Sequence, residues 1–169
     1  AGVSSLGALT GTGTASYAGL VTLGSASTIG SNSGTFTLSN AGTITGSGFG
    51  LTFTGTGNGS LASIIGTGAG TVTKEGAGTW TLSGANTYTG ATNVNVGILV
   101  AANNNALGTA ASGTTVASGA TLWVSNVSTA DNLTLNGSGV GGLGALRSDS
   151  NSAVTGTITL ASDTTIGTD

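Results

Sequence analysis

Residues 79–82 read Thr-Trp-Thr-Leu, an alternation of threonine with a large apolar side chain that decides the fold of this chain. Side chains on a β-strand point alternately to its two faces, so the pattern predicts a strand with one buried apolar face and threonine on the other. The alternation recurs at residues 35–38 (TFTL), 51–53 (LTF), 133–135 (LTL) and 157–160 (TITL). We therefore predict an all-β protein with close to no helix.

The composition around these segments excludes most kinds of active site. Gly, Thr, Ser and Asn account for 99 of the 169 residues, seven residues are charged, and His, Cys, Met and Pro are absent. Without His and Cys the chain has no Ser-His-Asp or Cys-His nucleophile and no usual zinc or haem ligands. Two basic residues cannot neutralise a nucleic-acid backbone, and no apolar run is long enough for a transmembrane helix. We predict that the chain is not an enzyme and has no catalytic, cofactor-binding or metal-binding residues.

The two ends of the sequence resemble each other. Residues 1–32 and 138–169 align without a gap and share 13 identities in 32 positions. The clearest matches are Leu-Gly-Ala-Leu at 6–9 and 143–146, and Thr-Ile-Gly at 28–30 and 165–167. We predict that residues 1–137 form one repeat unit and that residues 138–169 begin a second copy, continuous with the first.

Such a repeat favours a β-solenoid over a closed sandwich or barrel, because a solenoid stacks its turns in one dimension and can continue indefinitely. With about 20 residues per turn, the repeat unit makes about seven turns and the whole chain about eight. Glycine supplies the positive φ that corners require, and the absence of proline spares the hydrogen bonds between strands. The predicted architecture is a solenoid of roughly eight turns.

Residues 71–100 carry a family signal and read TVTKEGAGTWTLSGANTYTGATNVNVGILV. From Lys74 to Val100 the segment resembles the autotransporter-associated β-strand repeat of bacterial surface proteins. The family pattern is K-x-G-x-G-T-h-T-L-S-G-x-N-T-Y-T-G, where h is apolar; Trp80 stands where Leu is common, and Ile98 where Thr is common. The resemblance implies a right-handed parallel β-helix that belongs to the passenger region of a protein exported to the cell surface.

The resemblance and the repeat together imply a structural role outside the cell, as a stalk, fibre or matrix filament on a bacterial surface. The expected partner is the chain itself, through head-to-tail stacking of terminal turns by their open strand edges, with lateral association possible. One alternative is an adhesin passenger that binds surface glycans or neighbouring cells. A further alternative is an ice-binding protein.

The aromatic residues are candidates for a sugar-stacking platform. Phe36, Phe53 and Trp80 occupy the alternating apolar positions, however, and are expected in the core. Tyr88 is expected at a corner of a turn with its hydroxyl bonded. The full set is Tyr17, Phe36, Phe49, Phe53, Trp80, Tyr88 and Trp123.

The few charged residues are candidates for a metal or lyase site. Arg147, Asp149 and Asp163 combine a base with two carboxylates, but a lyase needs several clustered carboxylates, so we expect these charges to be solvated. Lys74 and Glu75 form the charged pair of the family pattern and are expected at a corner.

Thr-x-Thr motifs could order water in an ice-like lattice if they lay together on one flat face. With about 20 residues per turn, neighbouring motifs are expected on different faces instead. The motifs include positions 35/37, 43/45, 52/54, 71/73, 79/81, 87/89 and 157/159.

Overall fold

The alternating segments form strands that stack turn upon turn into a parallel β-solenoid of eight turns. The structure, a computed structural model, describes residues 7–168. Leu6, the first residue of the N-terminal Leu-Gly-Ala-Leu match, lies outside the described residues. Each turn places one strand in each of two eight-stranded sheets, which we call sheet A and sheet B, so the predicted fold and number of turns are confirmed.

Strands are numbered in chain order. Sheet A contains β1 (Leu9–Gly11), β3 (Ser27–Ser31), β6 (Leu51–Thr54), β9 (Val72–Lys74), β11 (Thr92–Val94), β13 (Thr114–Val116), β16 (Leu133–Gly137) and β19 (Ile158–Thr164). Sheet B contains β2 (Ala15–Tyr17), β4 (Thr35–Leu38), β7 (Asn58–Leu61), β10 (Thr79–Leu82), β12 (Ile98–Ala101), β14 (Thr121–Val124), β17 (Leu146–Ser148) and β20 (Ile166–Thr168).

A third side of the solenoid runs from each sheet B strand to the next sheet A strand. Within residues 7–168 its turns pair only in places, through two short two-stranded sheets and the single bridge between Thr22 and Thr45. The elements are β5 (Thr43–Ile44) with β8 (Ile64–Ile65), and β15 (Ser128–Thr129) with β18 (Ala153–Val154). A short 3-10 helix, Val140–Gly142, lies instead between β16 of sheet A and β17 of sheet B. Corners and the third side are therefore where the length of a turn can vary.

The number of residues in each turn can be read from one column of paired residues in sheet A. Its members are Leu9, Ile29, Phe53, Lys74, Val94, Val116, Leu135 and Leu160. The shortest step between successive members runs from Val116 to Leu135, and the longest runs from Leu135 to Leu160. Most steps exceed the turn length that the sequence analysis assumed. The path from Leu9 in sheet A to its equivalent, Leu146 in sheet B, therefore covers six turns and one further side rather than the expected seven turns.

The core is filled by the inward columns of both sheets, and large side chains require small ones in the neighbouring turn. Trp80 is fully buried in sheet B, with its ring centroid 4.7 Å from that of Phe53. Its register partner in the preceding turn is Gly59, where an added Cβ would lie 2.3 Å from the Trp80 ring. Glycine at position 59 therefore makes the space that the indole occupies. Phe36, Phe53 and Trp80 lie in the core as expected.

Candidate functional site

Lys74 is a charged residue inside the core column of sheet A. It lies at the end of β9, between Phe53 and Val94, and its side chain is fully buried. The prediction that Lys74 lies at a corner is wrong. Lys74 follows Val72 by two residues on β9, and residues two apart on a strand point to the same face, so both side chains point into the core. Only Glu75 begins the corner. That two-residue spacing is the signal in the sequence that identifies Lys74 as an inward residue.

The Lys74 ammonium is held by backbone carbonyls of two turns. Nζ donates to the oxygens of Glu75 at 3.0 Å, Gly76 at 2.7 Å and Val96 at 3.0 Å, which uses all three of its donors. Burial lowers the pKa of Lys74 from its ordinary value of 10.5 to about 8, partly offset by the charge of Glu75. The side chain joins the corner after β9 to the corresponding corner of the next turn.

Asn86 is a second buried polar residue, and it connects three turns on the third side. Its Oδ1 accepts the backbone N–H of Ile65 at 2.8 Å, and its Nδ2 donates to the carbonyl of Ala106 at 2.6 Å. The side chain is 1% exposed, so neither backbone group has water as a substitute partner. The prediction from the sequence did not include Asn86 as a buried residue, since asparagine in the segment Gly84-Ala85-Asn86-Thr87 is typical of an exposed turn.

Tyr88 packs beside the same region. Its ring is fully buried, and its hydroxyl lies 2.6 Å from Oγ1 of Thr92, which faces inward on β11. Burial raises the pKa of Tyr88 above its ordinary range. The expected bonded hydroxyl is therefore present. Lys74 and Asn86 thus bond to neighbouring turns, whereas the Tyr88 hydroxyl bonds four residues further along the chain.

The segment that contains Lys74, Asn86 and Tyr88 matches a known family. The family described as Passenger-associated-transport-repeat matches residues 72–101. This segment is therefore similar to a passenger-associated transport repeat. No curated protein and no solved structure matches the chain. The repeat begins at β9 and ends with β12, so it covers one full turn of the solenoid and the start of its neighbour.

The match over residues 72–101 and the parallel solenoid together fit an autotransporter passenger-type repeat protein, in line with the resemblance of the residues from Lys74 to Val100. Such a repeat suggests a surface or secreted location. Within residues 7–168, no helix is long and apolar enough to cross a membrane.

The charged candidates outside the repeat are only partly brought together. Arg147 on β17 lies over the ring of Trp123, 4.7 Å from its centroid, and Asp149 follows the same strand. Asp163 lies on β19 in sheet A, away from that strand. Among the described residues, no group of three or more His, Cys, Asp or Glu residues is arranged to hold a metal ion.

Asp149 is held by several hydrogen bonds. Its carboxylate accepts from Ser125 Oγ at 2.7 Å, Trp123 Nε1 at 2.6 Å and Asn126 Nδ2 at 3.0 Å. These bonds, led by those from Ser125 and Trp123, lower the pKa of Asp149. The carboxylate fixes the corner after β14 to the corner after β17. Both carboxylate oxygens of Asp149 are engaged in these hydrogen bonds.

Asp131 is a buried carboxylate that the sequence analysis did not single out. Its Oδ2 accepts a hydrogen bond from Oγ1 of Thr114, while its Oδ1 has no partner among the described residues. Burial raises the pKa of Asp131, and the bond from Thr114 opposes that shift. An acidic residue preceding Asn132 and a strand is typical of an exposed turn, so burial could not be read from the local sequence.

The remaining aromatic residues offer little continuous surface. Tyr17 and Phe49 are exposed by 37% and 36%, and they lie on different turns. Trp123 is half-buried, and Arg147 lies over its ring. Arg147 thus occupies the aromatic face on which a sugar would stack.

Threonine forms one outward column on sheet A. Its members are Thr28, Thr52, Thr73, Asn93, Thr115, Thr134 and Thr159. A second threonine column does not run beside it, because Thr54, two residues after Thr52, pairs with Gly30. Other Thr-x-Thr motifs fall on sheet B, as 35/37 and 79/81 do, or on the third side, as 43/45 does. Neighbouring motifs thus lie on different sides as expected, except 52/54 and 71/73, which both belong to sheet A with Thr52 paired to Thr73.

The two ends of the described solenoid expose residues of the core columns. At the last turn, Leu160 and Ile166 are exposed by 55% and 48%, although the equivalent residues of inner turns are buried. At the first turn, Leu9, Leu20 and Val21 line an open cavity of about 300 Å³. The outer backbone edges of the terminal strands have no paired strand within residues 7–168.

Proposed function

We propose that this chain is part of an extracellular rod on a bacterial surface, a stalk, fibre or matrix filament that grows by head-to-tail stacking of solenoid units. The internal repeat carries the proposal, because residues 143–146 and 165–167 repeat residues 6–9 and 28–30 and so begin a further unit on the same solenoid. Leu160 and Ile166 are the ends of buried columns, and a further turn placed on them would bury both. The role is structural, without catalysis.

The contacts within the rod support a mechanical function. Consecutive turns are joined by backbone hydrogen bonds of parallel strands on two sides and by buried side chains such as Lys74 and Asn86. The surface carries few charges, so units that meet end to end repel each other little. A contact between the two different ends of a unit does not close on itself and therefore propagates.

Concentration-dependent light scattering and negative-stain electron microscopy of the purified chain test this proposal. We expect unbranched filaments whose length increases with protein concentration. The variant L160K places a charge on the stacking surface and should reduce the polymerised fraction at least tenfold. T115K adds the same charge to the outward column in the middle of sheet A, where it should leave stacking unchanged. Monodisperse monomers of the unchanged chain at millimolar concentration would overturn the proposal.

The adhesin and ice-binding alternatives remain predictions. The adhesin needs exposed aromatic residues, and Tyr17 and Phe49 are the two that are exposed by more than a third. A glycan array probed with the purified chain and with a Y17A/F49A variant addresses it. Ice binding has the single threonine column of sheet A in its favour, and a thermal-hysteresis measurement addresses it.

A further inference from the structure

The two matching ends of the sequence have the same local structure. Near the N-terminus, Leu9 pairs with Ile29, and Ala8 donates to the carbonyl of Thr28 at 2.7 Å. At the equivalent positions near the C-terminus, Leu146 pairs with Ile166, and Ala145 donates to the carbonyl of Thr165 at 2.9 Å. The glycine before each segment has a similar φ, 120° at Gly7 and 127° at Gly144. The register of each pair is therefore identical in the two copies.

The two pairs lie on different sides of the solenoid. Leu9 and Ile29 belong to β1 and β3 in sheet A, whereas Leu146 and Ile166 belong to β17 and β20 in sheet B. The shift continues between them: positions 15–17 form β2 in sheet B, and positions 153–154, within the equivalent segment, form β18 on the third side. One repeat unit thus advances the chain by six turns and one side.

The exposure of the two isoleucines shows what the second pair lacks. Ile29 is 2% exposed because β6 of the next turn covers it, with Phe53 as its register partner. Ile166 has the same pairing on its other edge but is 48% exposed. A strand equivalent to β6 is the element that would complete the environment of Ile166.

From this we propose that β20 accepts strand β6, Leu51–Thr54, of a second copy of this chain's repeat, so that sheet A of the second copy continues sheet B of the first. The proposal rests on the proposed function, in which copies stack end to end. Each copy is then turned by one of the three sides relative to the copy before it. Three repeat units complete about 19 turns, about 91 Å at a spacing of about 4.8 Å, before the sides coincide again.

Disulfide cross-linking in a tandem protein tests this register. The protein is the full chain followed directly by a second copy of residues 33–169. The chain has no cysteine, so introduced pairs are the only ones present. In the single chain Thr28 pairs with Thr52, so T28C/T52C gives the reference yield of cross-linking under mild oxidation. Thr165 is the equivalent of Thr28, and the proposal places it beside Thr52 of the second copy.

We expect T165C combined with T52C of the second copy to cross-link within twofold of the reference yield. In the matched alternative, sheet B of the second copy continues sheet B of the first copy. Thr165 then faces Asn58 of the second copy, because Ile166 and Gly59 belong to one column of sheet B. T165C with N58C of the second copy should cross-link at least tenfold less.

A high yield from the N58C pair, or a low yield from both pairs, overturns the one-side rotation. Both results are read within one molecule and do not require filaments. The proposed function is instead overturned by the unchanged chain remaining monomeric, so the two failures are distinguishable.

Discussion

Lys74 and Leu160 stand in the same column of sheet A, one in the middle of the solenoid and one in its last turn. Lys74 is fully buried between Phe53 and Val94, and its ammonium bonds to three carbonyls. Leu160 is apolar but 55% exposed, because no described turn follows it. The position of a side chain along the solenoid, more than its residue type, therefore sets its contribution to stability.

The largest effect is expected from K74M, which keeps the volume of the side chain but removes its donors. Three part-buried carbonyls then lose their partner, and we expect the free energy of unfolding to fall by about 2–4 kcal/mol. The matched change in the same column, L160A, should cost less than about 0.5 kcal/mol, because Leu160 is already largely in water. Urea denaturation measures both. Equal losses of unfolding free energy in K74M and L160A would contradict the difference between the middle of the solenoid and its last turn.

A smaller loss is expected from G59A in the middle of sheet B. The added methyl would meet the ring of Trp80, whose neighbours are packed on all sides, and we expect about 1–3 kcal/mol of destabilisation from overpacking. Gly24, on the third side of the first turn, has no atom within 4 Å of an added Cβ, so G24A should be close to neutral. Thermal unfolding of the two variants compares a packed turn with an open one; a neutral G59A would contradict the packing argument.

The smallest effect is a pH dependence that belongs to the middle alone. The folded-state pKa of Lys74 is about 8 and its ordinary value is 10.5, so between these values the unfolded chain binds more protons. The free energy of unfolding should therefore rise with pH, by about 1–2 kcal/mol between pH 7.5 and 9.5. Urea titrations at fixed pH values measure the slope. K74M should lack this rise, and an unchanged slope in K74M would assign it to another group.

The range for that measurement is limited by Tyr88. Burial raises the pKa of Tyr88, so its ionisation above pH 10 favours the unfolded chain and opposes the Lys74 contribution. Below pH 9.5 the tyrosine stays mostly protonated in both states, so the change with pH is dominated by the lysine.

The fold could be predicted from the sequence because its signal is local and repeated. Thr79-Trp80-Thr81-Leu82 gives β10 with inward Trp80 and Leu82, and the same alternation gives the other strands. The number of turns followed from an average turn length. The rotation of the second copy could not be predicted from that average, because the turns differ in length, as the unequal steps on either side of Leu135 show, and the differences accumulate along the chain.

The candidate site was predicted less well, for a different reason. The family pattern located the repeat, but the roles of Lys74 and Asn86 depend on carbonyls of other turns, namely those of Val96 and Ala106. Charged and amide side chains are usually solvated, so the sequence pattern favoured a corner for the lysine. Only the pairing of turns shows that these acceptors are in reach.

Lys74 also bears on the accuracy of folding. A chain made largely of Gly, Thr, Ser and Asn offers many nearly equivalent pairings between one turn and the next, and a slip of one residue reverses the faces of a strand. Such a slip would move the Val96 carbonyl away from the Lys74 ammonium or leave a charge among apolar side chains. Lys74 therefore selects the native register: its ammonium is fully hydrogen-bonded in that pairing of turns and loses bonds when the pairing slips by one residue. The other residues of the sequence discriminate only weakly between registers.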